Sequence, residues 1–169
     1  MHLPYHPIFT GVAMSIVKSF LSPSTDATQS AYAASLLRVS LGVVLLAHGL
    51  LKVLIFGLQG TGEFFNSIGF AAWLVYPVVA LGVGGGLLLI AGLWVRAVAT
   101  LSAVLLAVTV FVHAPNGWVF SSANGGWEYP LFLTLVAIAV ALAGGGKFAV
   151  KWPARQPETT TPKTATAAT

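Results

Sequence analysis

The sequence has very little charge and no cysteine. Only 7% of its 169 residues are charged and 57% are hydrophobic, whereas about a quarter of a soluble globular domain is charged. Too few polar side chains are present to cover a water-facing surface, so the chain is predicted to lie in a membrane. The absence of cysteine excludes a disulfide framework, a thiol nucleophile and a cysteine-bound iron–sulfur cluster within this chain. The eight Lys and Arg residues are scattered, which argues against binding of nucleic acid.

Four apolar runs are long enough to cross a hydrocarbon core as helices, at residues 33–54, 71–93, 97–114 and 129–145. They show no alternation of apolar and polar residues, which argues against a barrel. We therefore expect an all-α membrane protein, an antiparallel bundle of four transmembrane helices with short interfacial helices. The expected domains are an N-terminal cytoplasmic or interfacial segment (1–32), the transmembrane domain (33–150) and a low-complexity cytoplasmic tail (151–169).

The basic residues are distributed unevenly between the two sides of this bundle. The side with the N-terminus, the link between the second and third spans and the C-terminus carries Lys18, Arg38, Arg96, Lys147, Lys151, Arg155 and Lys163. The other side carries only Lys52, together with Glu63 and Glu128. The positive-inside rule then predicts that both termini are cytoplasmic.

The two ends of the chain differ from the spans. The apolar run at residues 8–21 is too short to cross a membrane and lacks the charge order of a signal peptide, so an interfacial segment is expected. The tail from Pro153 onward is rich in Thr, Pro and Ala and has almost no bulky apolar residue. It is expected to be disordered alone and to be ordered by a partner subunit.

Small residues recur at helical spacing in three of the spans, where they favour close approach of helix backbones in lipid. They are Gly82 and Gly86 in the second span, Ala99, Ala103 and Ala107 in the third, and Ala137, Ala141 and Gly145 in the fourth.

Ionisable residues inside the spans predict a polar cluster. Arg38, His48 and Lys52 share one stripe of the first span, and such groups should face the bundle interior. Counting at the helical rise per residue places His48 and His113 at one depth, about 22 Å from the cytoplasmic ends. Lys52 and Glu128 come to a similar height, which predicts an ion pair. Arg38 has no acidic residue at its level and is expected to snorkel to cytoplasmic headgroups.

Two loops add polar groups on the same side. Glu63 precedes Phe64, Phe65 and Ile68, a spacing that predicts a short interfacial helix with Glu63 at its positive N-terminal end. The second loop runs from His113 to Pro130 and contains Asn116, Glu128 and Tyr129. The candidate binding residues are therefore His48, Lys52, Glu63, His113, Asn116, Glu128 and Tyr129.

Several interpretations of this cluster stay open. In a purely structural interpretation, Lys52 and Glu128 neutralise each other and His48 is a hydrogen-bonded structural imidazole. Among ligands, a quinone headgroup or lipid-like molecule ranks first, because it needs donors beside an apolar, aromatic slot. A b-type haem between His48 and His113 ranks second. A metal ranks third and none is assigned, because Lys52 beside His48 would repel a cation.

Three motifs resemble those of the DoxX family of membrane proteins: residues 38–42 with 48–52, the hairpin at residues 85–96, and Gly126-Trp127-Glu128-Tyr129. The resemblance covers roughly residues 33 to 150. It implies a four-helix protein of the bacterial inner membrane, related to small subunits of quinone-reducing thiosulfate oxidoreductases. The family's HGxxK-like element corresponds to His48, Gly49 and Lys52. Many members carry an acidic residue in the second span where this sequence has Gly82.

From these observations we expect an accessory membrane subunit of a bioenergetic oxidoreductase complex. It would contact membrane lipids and other membrane subunits, and bind a quinone or lipid near its periplasmic face. The alternatives are a quinone reductase in which His48 or His113 transfers protons, and a purely structural subunit.

Overall fold

The computed structural model describes residues 26–150, preceded by the single position Met14, and all regular structure in this part of the chain is helical. The α-helices are α1 (Ala27–Leu54), α2 (Gly57–Ser67), α3 (Val75–Ala80), α4 (Gly86–Ala91), α5 (Val95–His113) and α6 (Glu128–Ala143). Short helical turns at Ala72–Leu74, Leu81–Gly85 and Ala114–Asn116 join them. The expectations for residues 8–21 and for the tail from Pro153 lie outside the described residues.

Helix α1 is the longest element of the bundle. It has 28 residues, which corresponds to about 42 Å at the helical rise. Asp26 caps its N-terminus, because the carboxylate accepts a hydrogen bond from the backbone N–H of Thr28 at 2.9 Å. The helix therefore begins before residue 33, and the expected boundary between the N-terminal segment and the transmembrane domain falls inside it.

The second span is one apolar stretch, Ala72–Ala91, interrupted by the π-helical turn Leu81–Gly85 between α3 and α4. This span packs along α1 through glycines. A methyl group on Gly49 of α1 would lie 2.8 Å from the backbone nitrogen of Val83, and one on Gly86 would lie 2.8 Å from the carbonyl oxygen of Gly42. The expected packing role of Gly82 and Gly86 is confirmed, and Gly42 and Gly49 form the other half of the contact, which we call the glycine seam.

Helices α5 and α6 form the most extensive helix pair of the bundle. Ala99 of α5 and Ala137 of α6 are fully buried in the core, and Ala103 and Ala141 pack against it. The small-residue stripes expected on these helices thus lie at a helix interface. The remaining core consists mainly of Leu and Val side chains from α1, α4, α5 and α6.

Three residues join α4 to α5, the same number that the expected spans 71–93 and 97–114 leave between them. Gly92 and Trp94 both adopt left-handed backbone conformations, with φ of 80° and 47°. Glycine tolerates this conformation without steric cost, whereas tryptophan rarely adopts it. These two residues reverse the chain within Gly92–Trp94.

The bundle has two distinct ends. The terminal end contains the start of α1, the hairpin Gly92–Trp94 and the segment 144–150 after α6; there, the backbone N–H of Lys147 donates to the carbonyl of Ala31 at 3.1 Å. The loop end contains the end of α1, helix α2 and the connection 117–127, which we call the outer loop.

Three helical stretches are long and apolar enough to cross a membrane, Ala27–Leu54, Ala72–Ala91 and Val95–Asn116. The fourth expected span corresponds to α6, which has 16 residues. That is about 24 Å of helix, less than the roughly 30 Å thickness of a hydrocarbon core. The described part of the chain is therefore consistent with a helical membrane protein: three helices are long and apolar enough to span a membrane, and α6 is a shorter apolar helix.

Candidate functional site

Helix α2 lies at the loop end, where the sequence predicts an interfacial helix. The hydroxyl of Thr61 donates to the carbonyl of Gly57 at 2.9 Å, and Gly62 packs against Ala72. Because α2 begins at Gly57, Glu63 lies in its second half, and the expectation that Glu63 occupies the helix N-terminus is wrong. The Glu63 side chain is exposed and accepts a hydrogen bond from Gln59 at 3.0 Å.

The outer loop is closed by hydrogen bonds from the residues that flank it. The amide of Asn116 donates to the carbonyls of Asn124 and Gly125 at 3.0 and 2.9 Å. On the other flank, the carboxylate of Glu128 accepts the backbone N–H of Phe120 at 2.9 Å. Asn116 and Glu128 thus hold the loop in one conformation.

Each of the two candidate histidines is hydrogen-bonded to a backbone carbonyl one turn back in its own helix. Nδ1 of His48 lies 2.9 Å from the carbonyl of Val44, and Nδ1 of His113 lies 2.9 Å from that of Thr109. A carbonyl oxygen can only accept, so in each neutral ring Nδ1 carries the proton and Nε2 keeps its lone pair. Neither hydrogen bond uses the catalytically useful Nε2 atom.

The imidazoles have different neighbours. The His48 ring is exposed and lies beside Tyr129, with ring centroids 6.4 Å apart. The His113 ring is half-buried and lies against Gly125, since a methyl group there would be 3.4 Å from Cδ2 of His113. Of the residues expected to meet from different helices, His48 and Tyr129 lie side by side.

The predicted ion pair between Lys52 and Glu128 is not formed. The ammonium of Lys52 donates to the carbonyl of His48 in its own helix at 3.4 Å, and Glu128 is bonded to the outer loop. The prediction was wrong because the number of residues along a helix gives the height of a side chain in the bundle but not the direction in which it points. No group of three or more His, Asp or Glu side chains in residues 26–150 could hold a metal ion.

An apolar groove of about 740 Å³ runs between the outer loop and the first turns of α6. Its walls are formed by Trp118, Phe120, Glu128, Tyr129, Leu131, Phe132 and Leu135. The partly exposed Tyr129 places a phenol at this groove, and His48, which is not part of the groove wall, lies beside that ring. Only Glu128 and Tyr129 belong to both the groove and the residues predicted from the sequence. We call this feature the Tyr129 groove.

Sequence reasoning missed the aromatic and aliphatic walls of the groove. In the sequence, Phe132 and Leu135 cannot be distinguished from ordinary lipid-facing residues of an apolar helix. Helical spacing is the only sequence signal for this wall, because Phe132 lies three residues after Tyr129 and Leu135 lies three residues after Phe132.

Arg38 lies at the terminal end and corrects another expectation. It is 1% exposed, so it does not snorkel to the surface. Its Nε donates to the carbonyl of Gly145 at 3.0 Å, and its Nη1 donates to the carbonyls of Leu89 and Ile90, the latter at 2.9 Å. Arg38 thus joins α1 to the C-terminal end of α4 and to the segment that follows α6.

Comparison with known proteins agrees with the resemblance noted in the sequence. The DoxX family matches residues 33–115. The chain is 37% identical over 112 residues to the Bacillus subtilis (strain 168) protein named "Putative oxidoreductase CatD", a match that covers 64% of this chain and 77% of that protein. No solved structure gives a significant match. Gly82, where the resemblance led us to expect an acidic residue, lies in the glycine seam, and a methyl group on it would be 3.1 Å from Cα of Gly49. The chain belongs to the DoxX family of membrane proteins.

Proposed function

We propose that this protein is an integral membrane subunit of an oxidoreductase assembly, and that it binds a quinone or a similar lipid in the Tyr129 groove. In this proposal α6 crosses the membrane as a fourth span, both termini are cytoplasmic, and the groove opens near the periplasmic face of a bacterial inner membrane. The single observation that carries the proposal is an apolar, aromatic groove whose wall includes the phenol of Tyr129, with the imidazole of His48 next to that ring.

The size and composition of the groove suit a hydrophobic ligand. Its volume of about 740 Å³ falls within the range of roughly 300–1,000 Å³ that is typical of small-molecule sites. Trp118, Phe120 and Phe132 offer aromatic faces for a ring, and Leu131 and Leu135 continue along α6 as a path for an isoprenoid chain.

The polar groups suit both redox forms of a quinone. A quinone carbonyl needs a donor, which the hydroxyl of Tyr129 supplies, and a quinol hydroxyl needs an acceptor, which the same oxygen supplies. His48 is not part of the groove wall, but its Nδ1–H bond to Val44 leaves Nε2 as an acceptor next to the Tyr129 ring.

The assembly part of the proposal rests on the chain's composition and its relative. The relative's name points to an oxidoreductase, and a chain without cysteine cannot itself carry a cysteine-bound iron–sulfur cluster. Electrons for a quinone would then come from another subunit. Among the described cations, Arg38, Arg96 and Lys147 lie at the terminal end and Lys52 at the loop end, which favours cytoplasmic termini.

Quinone binding can be tested by blocking the groove. Leu135→Trp places an indole in the groove, whereas Leu142→Trp makes the same change on the same face of α6, two turns away and 76% exposed. In nanodiscs, quinone titrated against the wild-type protein should bind saturably. Leu135→Trp should weaken that binding at least about tenfold, and Leu142→Trp should leave it unchanged. Equal binding by both variants, or no saturable binding by the wild type, would refute the groove as the site.

Assembly is tested separately. Protein extracted from native membranes in mild detergent should migrate on native gels with at least one other subunit. If the chain migrates without any other subunit, the proposed assembly is wrong, but the proposal that the chain binds a quinone is unaffected. An absorption spectrum of this chain purified without other subunits should lack a Soret band, and a Soret band would show that the chain binds a haem.

The relative's name and the free Nε2 of His48 also favour a second candidate, a subunit that takes part in quinone reduction. There His48 would transfer a proton to or from the quinone oxygen while a partner supplies the electrons. His48→Ala should then abolish quinol turnover by the assembly while the helical circular dichroism and quinone affinity persist. Unchanged turnover would leave binding as the only role.

A further inference from the structure

A second cavity, of about 370 Å³, lies at the terminal end, far along the bundle from the Tyr129 groove. Its lining includes Gly92, Val95, Arg96, Ala97, Gly144 and Gly145. We propose that this terminal-end cavity binds the phosphate of an anionic phospholipid headgroup. The proposal does not depend on the function proposed for the groove.

The first argument is a buried cation behind the cavity wall. Arg38 is 1% exposed, and no carboxylate within residues 26–150 pairs with it. Its Nε bonds the carbonyl of Gly145, and its Nη1 would lie 2.9 Å from a methyl group on Gly92, so the guanidinium borders two residues that line the cavity. Buried charges in proteins are almost always paired, and an anion in the cavity would supply the missing counter-charge.

The second argument is Arg96, which lines the cavity directly. Its side chain is exposed and lies beside Gly144, because a methyl group there would be 3.4 Å from Nε of Arg96. Arg96 has no hydrogen-bonding or ionic partner for its guanidinium among the described residues. A guanidinium with free N–H groups matches two oxygens of a phosphate.

The third argument is the start of α5, whose first residues also line the cavity. No side chain caps this helix and its first turn has no acidic residue. The backbone N–H of Val98 donates to Trp94 at 3.0 Å, but those of Val95, Arg96 and Ala97 precede the first helical hydrogen bond and are available to an anion.

The position of the cavity identifies a lipid as the source of the anion. Trp94, which also lines the cavity, is 72% exposed, and tryptophan is enriched at the headgroup level of membranes. The cavity therefore lies where lipid phosphates are concentrated, and its residues come from the hairpin and from the segment that ends α6.

The binding test uses the full-length protein, purified in a non-ionic detergent and stripped of lipid. Phosphatidylglycerol should raise the melting temperature saturably and remain bound in native mass spectra at one lipid per chain. Phosphatidylcholine, which has no net charge, should bind at least about tenfold more weakly. If inorganic phosphate stabilises the protein as well as phosphatidylglycerol does, the anion is a soluble phosphate; if neither binds saturably, the site does not exist.

Matched variants locate the site. Arg96→Gln removes the lining guanidinium and should weaken phosphatidylglycerol binding about tenfold, the loss expected for one strong charge-assisted hydrogen bond. Lys147→Gln is the control, because it also removes one positive charge from the terminal end, but the Lys147 ammonium bonds the hydroxyl of Tyr32 and does not line the cavity. This variant should keep phosphatidylglycerol binding within about twofold of the wild type. Equal losses in both variants would show general attraction to the basic end and refute the site.

The fourth acidic residue of the sequence, Glu158, provides one more check. If Glu158→Gln lowers the melting temperature of the lipid-free protein as much as lipid removal does, the tail carboxylate is the counter-ion and the proposal is wrong. An unchanged melting temperature supports an external anion.

Discussion

The glycine seam makes a quantitative prediction about how the bundle is held together. A methyl group on Gly49 would lie 2.8 Å from the nitrogen of Val83 and 2.9 Å from the carbonyl carbon of Gly82. Ordinary contacts between such atoms are about 3.5–4.0 Å. Both atoms belong to the backbone, so no side chain can rotate away. Gly49→Ala must therefore separate α1 from the second span by roughly 0.5–1 Å at that point.

This separation should cost stability. Overpacking by one methyl group typically costs about 1–3 kcal/mol, and we expect about 2 kcal/mol for Gly49→Ala because the contact is backbone to backbone. Gly84 is the matched control: it lies in the same glycine run of the second span, and a methyl group on it would meet nothing within 4 Å. Gly84→Ala should be neutral or stabilising by up to about 1 kcal/mol, because alanine restricts the unfolded chain.

The difference can be measured by unfolding in mixed micelles with increasing sodium dodecyl sulfate. Tryptophan fluorescence follows packing and far-ultraviolet circular dichroism follows helix content. Gly49→Ala should unfold at a clearly lower detergent fraction than the wild type, and Gly84→Ala at the same or a higher one. Coincident transitions for the two variants would refute close backbone packing along the seam.

Three further substitutions test single contacts. Arg38→Lys should destabilise the bundle by about 3 kcal/mol in the same assay, because a lysine ammonium cannot reproduce the fork that binds three carbonyls; wild-type stability would mean that those bonds are not formed. Glu128→Ala leaves the N–H of Phe120 without its acceptor, so hydrogen exchange in the outer loop should accelerate while the core helices stay protected, and unchanged exchange would contradict the cap. Lys52→Met should change stability by less than about 1 kcal/mol, because Lys52 bonds only the carbonyl of His48 in its own helix; a loss above about 3 kcal/mol would indicate a buried ionic partner.

The fold was largely predictable because it depends on local signals. Long apolar runs set the spans, and the small residues of α5 and α6 marked the surfaces that pack together. Helix ends were less predictable: α1 begins at Ala27, directly after the capping residue Asp26, where the apolar run has not yet started. The π-helical turn Leu81–Gly85 in the second span, which contacts α1, has no hydropathy signal in the sequence.

The polar residues were harder to place because their partners are distant in sequence. Arg38 binds carbonyls 51, 52 and 107 residues away, and such backbone acceptors are invisible in a pattern of side chains. Counting along helices estimated the level of His48 and Glu128, but the outer loop determines what Glu128 binds. The structure places Tyr129 beside His48, but the sequence gave no sign of the groove that Tyr129 lines.

The apolar middle of the bundle determines whether protons can pass from one end to the other. The hydroxyls of Ser102 and Thr134 are buried and donate to carbonyls one turn back in their own helices, at 2.8 and 2.7 Å, and the residues around them are aliphatic. Within residues 26–150, this interior offers neither water nor a proton relay polar groups to follow from one end to the other. If a quinone reacts beside Tyr129 as proposed, its protons would be exchanged with the loop end alone, and this part of the chain would not convert the reaction into a membrane voltage.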